Sequence, residues 1–175
     1  MDAGIMLRRI PLLVAAAGYL ALVAWATLGP VSWHAIGWEA RYGVLTPSIW
    51  FDRSTWTTGS PTEFALNIAM FLPLGALFAL LAGRRRIVAA FAAAVAVSIA
   101  IEVAQIPMED RISDPRDLLA NAAGAAIGIV GVTIVWAIGA IARRLSRAPF
   151  ASEFDRVLRA DAATTAEPAL SRTVH

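Results

Sequence analysis

The chain has 175 residues, 58% of them apolar, and its mean hydropathy of +0.65 is far above that of a soluble globular domain. It has no cysteine, which excludes a disulfide framework, a cysteine-based zinc site and a thiol nucleophile. The basic residues are all arginines that mostly flank apolar runs, so the pI near 9.9 indicates membrane-insertion signals rather than a nucleic-acid partner. The two histidines, His34 and His175, are far apart in sequence, and we expect no metal and no cofactor.

Four apolar runs have about the length that crosses 30 Å of hydrocarbon, and each predicts a transmembrane helix. We therefore expect an all-α, polytopic membrane protein whose four helices form one compact bundle within residues 1–145. Residues 146–175 are polar and mixed in charge, which predicts a partly disordered cytoplasmic tail. The predicted helices cover about residues 11–28, 64–82, 87–106 and 118–141.

The positions of the arginines predict the orientation of this bundle. With four crossings, the arginines at 8, 9, 84–86, 143, 144 and 147 fall on one side, which the positive-inside rule assigns to the cytoplasm, together with both termini. Residues 30–62, which contain four of the six tryptophans, then face outward. Because indole rings favour the headgroup level, we expect this Trp-rich interval to lie along the membrane surface, although such rings also stack on sugars or lipid headgroups.

Polar residues within the apolar helices indicate a functional site. Glu102 and Gln105 share one face of the third predicted helix, and Glu102 lies about 6 Å below its outer end. Asn67 in the second helix and Asn121 in the fourth lie at a similar depth. A carboxylate near the middle of a membrane costs about 3 kcal/mol, and less towards the edge, so we expect Glu102 to face the bundle interior or a water-filled pocket, with Arg111 as the nearest cation.

The start of the fourth predicted helix carries two aspartates. Asp114 can cap the helix, Pro115 suits its first position, and Asp117 favours the positive end of the helix dipole. Capping explains both aspartates, and a role in the site is the alternative.

Glycines on the fourth helix predict close helix packing. Asp117, Asn121, Gly124 and Gly128 share one face, and a G-x-x-x-G pair lets another helix approach closely. We expect this face to bring Asp117 and Asn121 against the third helix, and Gly75 to have a packing role in the second.

The predicted site combines these polar residues. Arg111 would pair an anionic group, whereas Glu102 and Asp117 would accept hydrogen bonds from hydroxyls or amines, or would act as catalytic acid and base in an enzyme. The candidate binding residues are Asn67, Glu102, Gln105, Arg111, Asp114, Asp117 and Asn121.

Two sequence motifs lie between the second and the fourth predicted helix. They are Asn67-x-x-x-Phe71-x-Pro73-x-Gly75 and the series Glu102-x-x-Gln105, Arg111, Asp114, Asp117, Asn121, Gly124, Gly128. These motifs resemble those of VanZ-like membrane proteins, over roughly residues 60–130. The resemblance implies a multi-pass protein of the bacterial cytoplasmic membrane that is connected with the cell envelope, in a family named after a protein associated with resistance to the glycopeptide teicoplanin. It implies no agreed reaction.

Three classes of function remain open. The first is a protein that binds or modulates an envelope component, such as a lipid headgroup, a lipid-linked precursor or a lipoglycopeptide. The second is a membrane enzyme that acts on such a substrate by carboxylate acid/base chemistry. The third is a structural polar network without a ligand. We expect membrane lipids as partners, and transport by so small a bundle would require an oligomer.

Overall fold

The computed structural model describes residues 3–29, 43–108, 113–146 and 156–162. No strand occurs among these residues, and four of the helices contain a segment long and apolar enough to cross a membrane, which confirms the predicted all-α, four-helix class. The helices are α1 (Ala3–Leu28), α2 (Arg53–Thr57), α3 (Pro61–Ala82), α4 (Ile87–Gln105) and α5 (Pro115–Leu145). The short helix α2 contains no such segment.

The chain divides into two compact units, Met1–Ile134 and Val135–His175. The packing and the site described below belong entirely to the first unit. In the second unit, α5 continues to Leu145, and residues 156–162 are helical.

Capping residues set the start of α3, three residues before its apolar run. The Ser60 side chain accepts a hydrogen bond from the Glu63 N–H at 3.4 Å, and Pro61 occupies the first turn, where its missing N–H costs nothing. The helix ends at Ala82, and the residue that caps it is Gly83, whose φ of 77° suits a residue without a side chain. A 3₁₀ turn over Arg84–Arg86 then leads into α4.

Three spanning helices enclose an apolar core. Helix α1 packs against α3 and α4, and α3 packs against α4. The Tyr19 hydroxyl of α1 donates a hydrogen bond to the Met70 carbonyl of α3 at 2.9 Å, which adds a polar contact between helices that lipid alone does not drive together. The buried core residues are Val23, Phe71, Leu74 and Ile101.

Helix α5 lies close to α3 because glycines remove side chains from the contact. A Cβ at Gly124 would collide with the Ile68 carbonyl, and one at Gly128 would collide with the Leu72 carbonyl. Gly75 of α3 faces the backbone of Ala125 in the same way. The glycine face therefore packs on α3, and not on the third predicted helix, α4, against which we expected it to bring Asp117 and Asn121. The Asp117 carboxylate likewise has the Asn67 side chain of α3 as its hydrogen-bond partner.

Asn121 does reach α4, where it contacts Ser98. The reason for the difference is angular: Asn121 and Gly124 are three residues apart and so point about 60° apart around the helix axis. This face of α5 is thus wide enough to contact both α3 and α4. The spacing of its residues in the sequence indicates a single face and does not show that two helices pack on it.

The segment of residues 43–60 is attached to the start of α5 at two points. The Val44 N–H donates to the Ser113 hydroxyl at 3.2 Å, and the Arg116 guanidinium donates to the Thr58 carbonyl. These contacts fix residues 43–60 over the end of the bundle at which α5 begins.

Two of the four tryptophans of the Trp-rich interval lie in this segment. The rings of Trp50 and Trp56 are 6.4 Å apart and tilted, and the neighbouring Phe51 is exposed. Trp33 and Trp38 lie outside the described residues. The placement of this interval along the membrane surface, and the orientation of the bundle, remain predictions.

Candidate functional site

The buried carboxylate of Glu102 anchors the entry into α5. Glu102 is 2% exposed, and its Oε2 accepts a hydrogen bond from the Asp114 N–H at 3.0 Å. The Ser113 side chain is a second hydrogen-bond partner of the same carboxylate. A carboxylate near the end of α4 therefore holds the first residues before α5, which brings two predicted site residues from different helices together.

Two buried amide side chains, those of Gln105 and Asn121, also belong to the site. The Gln105 Nε2 donates to the Thr27 carbonyl of α1 at 3.1 Å, and the Asn121 Nδ2 contacts the Ser98 hydroxyl of α4 at 2.9 Å. Among the described residues, neither Gln105 Oε1 nor Asn121 Oδ1 has a hydrogen-bond partner. Buried acceptors without a donor are uncommon and indicate a missing partner.

Acidic residues crowd together at the start of α5. The Asp117 carboxylate has the Asn67 side chain as a hydrogen-bond partner, and Glu63 and Asp114 lie close enough to repel it. Arg116 opposes this repulsion with its positive charge. The site is thus rich in carboxyl groups, with one neighbouring guanidinium beside them.

Asp114 precedes the membrane-spanning part of α5 and caps it. Its Oδ1 accepts a hydrogen bond from the Arg116 N–H at 2.8 Å. Burial raises the pKa of the Asp114 carboxyl above its ordinary value, although the hydrogen bond and the charge of Arg116 oppose this change. The capping interpretation of Asp114 therefore agrees with the geometry, and the residue also neighbours the site.

The polar residues border a cavity of about 460 Å³ between α1, α3, α4 and α5. Leu66, 59% exposed, and the exposed Ala69 belong to its lining, so the cavity is open to the surroundings of the bundle. Its polar lining residues are Thr27, Glu63, Asn67, Glu102, Gln105, Asp117 and Asn121. Its apolar lining residues are Ala26, Leu66, Ala69, Met70 and Ile101.

A smaller pocket of about 90 Å³ adjoins this cavity, because Glu63 and Asp117 line both. Arg116 and Asp114 line the small pocket only. The Arg116 guanidinium also lies over the Phe64 ring, 5.9 Å from its centroid. The cation is therefore held beside the large cavity and does not form part of its described lining.

The sequence was compared with protein families, curated proteins and solved structures. The model of the VanZ/LLP1 family matches residues 16–136, well over half of the chain. The chain belongs to the VanZ/LLP1 family. No curated protein and no solved structure matches it. The family match confirms the resemblance drawn from two motifs and extends it to the second half of α1.

Six of the seven predicted binding residues of this VanZ/LLP1 protein lie in the described part of the chain. Asp114 lines the small pocket, and Arg111 lies outside the described residues, so its predicted pairing with an anion stays a prediction. The five that line the large cavity are Asn67, Glu102, Gln105, Asp117 and Asn121.

Sequence reasoning missed three contributors to the site. Arg116 had a signal, because a cation in the first turn of a helix opposes the helix dipole and so implies a specific partner. Ser113 and Thr27 had none, since Thr27 contributes a backbone carbonyl, which every residue has. In the described ranges, no group of three or more His, Asp or Glu side chains is arranged to hold a metal ion.

Proposed function

We propose that this VanZ/LLP1 protein binds an amphiphilic component of the cell envelope in the large cavity. The observation that carries the proposal is the cavity itself, which is lined by both polar and apolar side chains from four helices. Its volume of about 460 Å³ lies within the range of small-molecule sites, roughly 300–1,000 Å³. Polar and apolar side chains in one open cavity suit a ligand that has a headgroup and a hydrocarbon portion.

The positions of the lining residues suggest how such a ligand lies. Its headgroup contacts Glu102, Gln105 and Asp117, which are anchored on α4 and α5. Its apolar portion leaves past Leu66 and Ala69, which are exposed on the side of α3. In a membrane this exit leads into hydrocarbon, so the ligand keeps its chain in lipid while its headgroup enters the protein.

The family relationship directs the choice of ligand towards the envelope. In the predicted orientation the cavity lies near the outer face of the bacterial cytoplasmic membrane, where lipid headgroups, lipid-linked precursors and lipoglycopeptides occur. Binding of such a molecule would link this protein to susceptibility to teicoplanin-like glycopeptides, either by sequestering the antibiotic or by altering its target.

A second candidate function is acid/base catalysis. The carboxylates of Glu102 and Asp117 are close enough to interact electrostatically, and both line the cavity. Paired carboxyl groups can divide the roles of acid and base. A structural network is the third candidate, since Glu102, Gln105 and Asn121 each hydrogen-bond to another element.

The test of the binding proposal is to fill the cavity without disturbing the polar network. Ala69→Trp places an indole in the cavity from an exposed position, and Ala96→Trp adds the same side chain to an exposed position of α4 outside the lining. Each variant is expressed in a strain that lacks its own copy, and membrane accumulation and glycopeptide susceptibility are measured together. We expect Ala69→Trp to accumulate normally and lose the phenotype, whereas Ala96→Trp retains it.

Conservative changes separate the three candidates. Glu102→Gln and Asp117→Asn should abolish an acid/base activity while sparing accumulation, whereas a binding site should retain part of its effect in at least one of them. A structural network should lose accumulation and phenotype in step. The binding proposal is wrong if Ala69→Trp accumulates and behaves as the unmodified protein does.

A further inference from the structure

Helices α3 and α4 form a groove of about 350 Å³ at the end of the bundle opposite to the large cavity. The groove lies between the C-terminal part of α3 and the N-terminal part of α4, whereas the large cavity lies at the other ends of these two helices. Glu102 follows Ala89 by 13 residues on α4, so the two sites are about 20 Å apart along the helix. The groove lining consists of Arg86 and six apolar residues, which are Phe78, Leu81, Ala82, Ala89, Ala90 and Ala93.

The groove exists because α4 has alanines where α3 has larger side chains. Ala90 is buried, while Ala89 and Ala93 are exposed beside the half-buried Phe78 and Leu81. A methyl group fills little of the space next to a phenyl or isobutyl group, so a depression with hydrocarbon walls remains. Its volume lies within the range of small-molecule sites, roughly 300–1,000 Å³. In a membrane these walls suit an acyl chain.

One end of the groove carries positive charge. Arg86 is the N-cap residue of α4, it makes no side-chain capping hydrogen bond, and the first turn of α4 contains no acidic residue. The positive end of the helix dipole adds to the charge of the arginine at this point. Arg84 and Arg85 precede Arg86 in the same 3₁₀ turn, and the sequence has no acidic residue between Glu63 and Glu102. The hairpin of α3 and α4 thus combines an apolar groove with an end that attracts anions.

An arginine beside an apolar groove matches a phospholipid in both charge and polarity. A guanidinium binds phosphate with two parallel N–H bonds, and the aliphatic part of its side chain can lie along apolar surface. Each basic residue near a membrane surface strengthens the attraction of anionic lipid by about fivefold. A zwitterionic headgroup also brings a cation, which the three arginines of this turn repel.

We propose that this groove is a binding site for an anionic phospholipid of the surrounding leaflet. One acyl chain lies along Phe78 and Ala93, and the headgroup phosphate pairs with Arg86. The charge at Arg86 favours this occupant over a zwitterionic lipid and over an apolar helix of a second copy of the chain. The site is separate from the large cavity, so it does not depend on the function proposed for that cavity. The orientation of the bundle decides only which leaflet supplies the lipid.

The test measures which lipid the purified full chain retains. The protein is incubated in detergent with equal amounts of phosphatidylglycerol and phosphatidylcholine that have the same acyl chains, and the complexes are counted by native mass spectrometry. We expect the complex with one phosphatidylglycerol to exceed that with one phosphatidylcholine by at least about fivefold, the effect of one basic residue at a membrane surface. Equal binding of the two lipids would overturn the proposal.

Two matched charge variants connect this preference with the groove. Arg86→Gln and Arg85→Gln each remove one charge from the same exposed turn, but only Arg86 lines the groove. Arg86→Gln should remove most of the preference for phosphatidylglycerol. Arg85→Gln should retain most of it, because solvent and salt screen a charge outside the groove more strongly. An equal reduction in both variants would mean that the turn attracts anionic lipid without a defined site, which contradicts the proposal.

Three tryptophan variants locate the bound lipid. Ala93→Trp fills the groove from an exposed position, Ala96→Trp adds the same side chain to α4 outside the lining, and Ala69→Trp fills the large cavity. We expect Ala93→Trp to lose most of the bound phosphatidylglycerol and the other two variants to retain it. If Ala69→Trp loses the lipid and Ala93→Trp retains it, the lipid lies in the large cavity and the groove assignment is wrong.

The same spectra report the oligomeric state of the protein. A dimer of the unmodified chain that Ala93→Trp converts to a monomer would mean that a second copy, and not a lipid, occupies the groove. Arg86 and Ala93 are both exposed, so neither substitution disturbs the buried core, and thermal unfolding in lipid-free detergent compares each variant with its control. Should one of these two variants fail to fold, the lipid preference of the unmodified protein and the other variant decide.

Discussion

At the residue scale, the contact between Glu102 and the backbone of Asp114 depends on an acceptor more than on a charge. The Asp114 N–H needs a hydrogen-bond acceptor at this partly buried position, and either a carboxylate or an amide oxygen can provide one. Replacing the side chain by a methyl group removes that acceptor and leaves a gap among packed helices. Substitution of Glu102 by glutamine and by alanine should therefore affect stability differently.

We expect Glu102→Gln to unfold within about 1 kcal/mol of the unmodified protein, since the amide oxygen replaces the carboxylate oxygen. Glu102→Ala should lose roughly 2–4 kcal/mol, because it leaves an N–H without a partner and opens space in the bundle. Thermal unfolding of the purified protein in detergent measures both. An equal loss in the two variants would mean that the charge of Glu102, and not its role as an acceptor, stabilises this end of the bundle.

The buried Asp114 carboxyl should make the stability of the folded protein depend on pH. Burial raises the pKa of its carboxyl in the folded protein, so the folded state holds the proton over a pH range in which the unfolded state has released it. The contribution of Asp114 to stability is thus greatest below its unfolded pKa of about 4 and is lost as the pH rises through the folded pKa. The charged groups that act on this carboxyl include Arg116 and Glu63.

Asp114→Asn should remove this contribution and still cap α5, because its amide oxygen can accept the Arg116 N–H. We expect the unmodified protein to lose more stability than the variant as the pH rises from about 4. Hydrogen bonds from Ser54 lower the pKa of the exposed Asp52 carboxyl, so Asp52→Asn serves as the control of opposite sign. The assignment fails if Asp114→Asn and the unmodified protein have parallel melting profiles.

At the element scale, the close approach of α5 to α3 depends on glycine. An alanine at Gly128 would press its Cβ into the Leu72 carbonyl, which cannot move independently of α3. Gly131 lies one turn further along the same helix, and no atom lies within 4 Å of a Cβ built there. Gly→Ala makes the same change to helix propensity at both positions, so the difference in stability between the two variants measures the effect of packing alone.

Gly128→Ala should destabilise the protein by about 1–3 kcal/mol through overpacking, and Gly131→Ala should stabilise it slightly, by up to about 1 kcal/mol, through helix propensity. Thermal unfolding of the two variants side by side gives the difference. If Gly128→Ala were as stable as Gly131→Ala, the helices would not be in contact at this position.

The sequence was more informative about what an element does than about which neighbour it meets. Ser60 and Pro61 set the start of α3 through contacts between residues that are adjacent in the chain, and such a start can be read from the sequence alone. The glycine pair predicted a close helix contact but not the identity of the partner, since small residues limit the distance between helices and carry no information on which helix approaches. The contact between Gln105 and the Thr27 carbonyl could not be predicted either, because a backbone carbonyl gives no sequence signal of which helix it belongs to.

At the scale of the whole molecule, the fold class could be predicted because a protein surrounded by lipid has apolar side chains on its outside as well as in its core. Large apolar side chains such as Val88, 82% exposed, cover the outside of the bundle, so hydrophobicity identifies a spanning helix without indicating its inner face. Only the polar residues mark the interior. The sequence could therefore predict that Glu102, Gln105 and Asn121 lie in one site, whereas the apolar residues that line the cavity could be identified only from the structure.

The orientation of the bundle decides whether the cavity can receive a ligand from outside the cell, and the absence of cysteine makes it straightforward to measure. Thr57 and Arg85 are exposed and lie beyond opposite ends of α3, whose 22 residues span about 33 Å. Single-cysteine variants at these two positions are labelled in intact spheroplasts with a membrane-impermeant maleimide, and the unmodified chain controls for background. Arg85→Cys keeps the flanking Arg84 and Arg86 as orientation signals.

The arginine distribution predicts that Thr57→Cys is labelled in intact spheroplasts and that Arg85→Cys is labelled only after they are lysed. Labelling of both from outside would mean that α3 does not cross the membrane. The reverse pattern would place the cavity at the cytoplasmic face, where an external amphiphile cannot reach Gln105 without first crossing the bilayer. The ligand would then have to be a lipid of the inner leaflet, and the proposed link to glycopeptide antibiotics would be wrong.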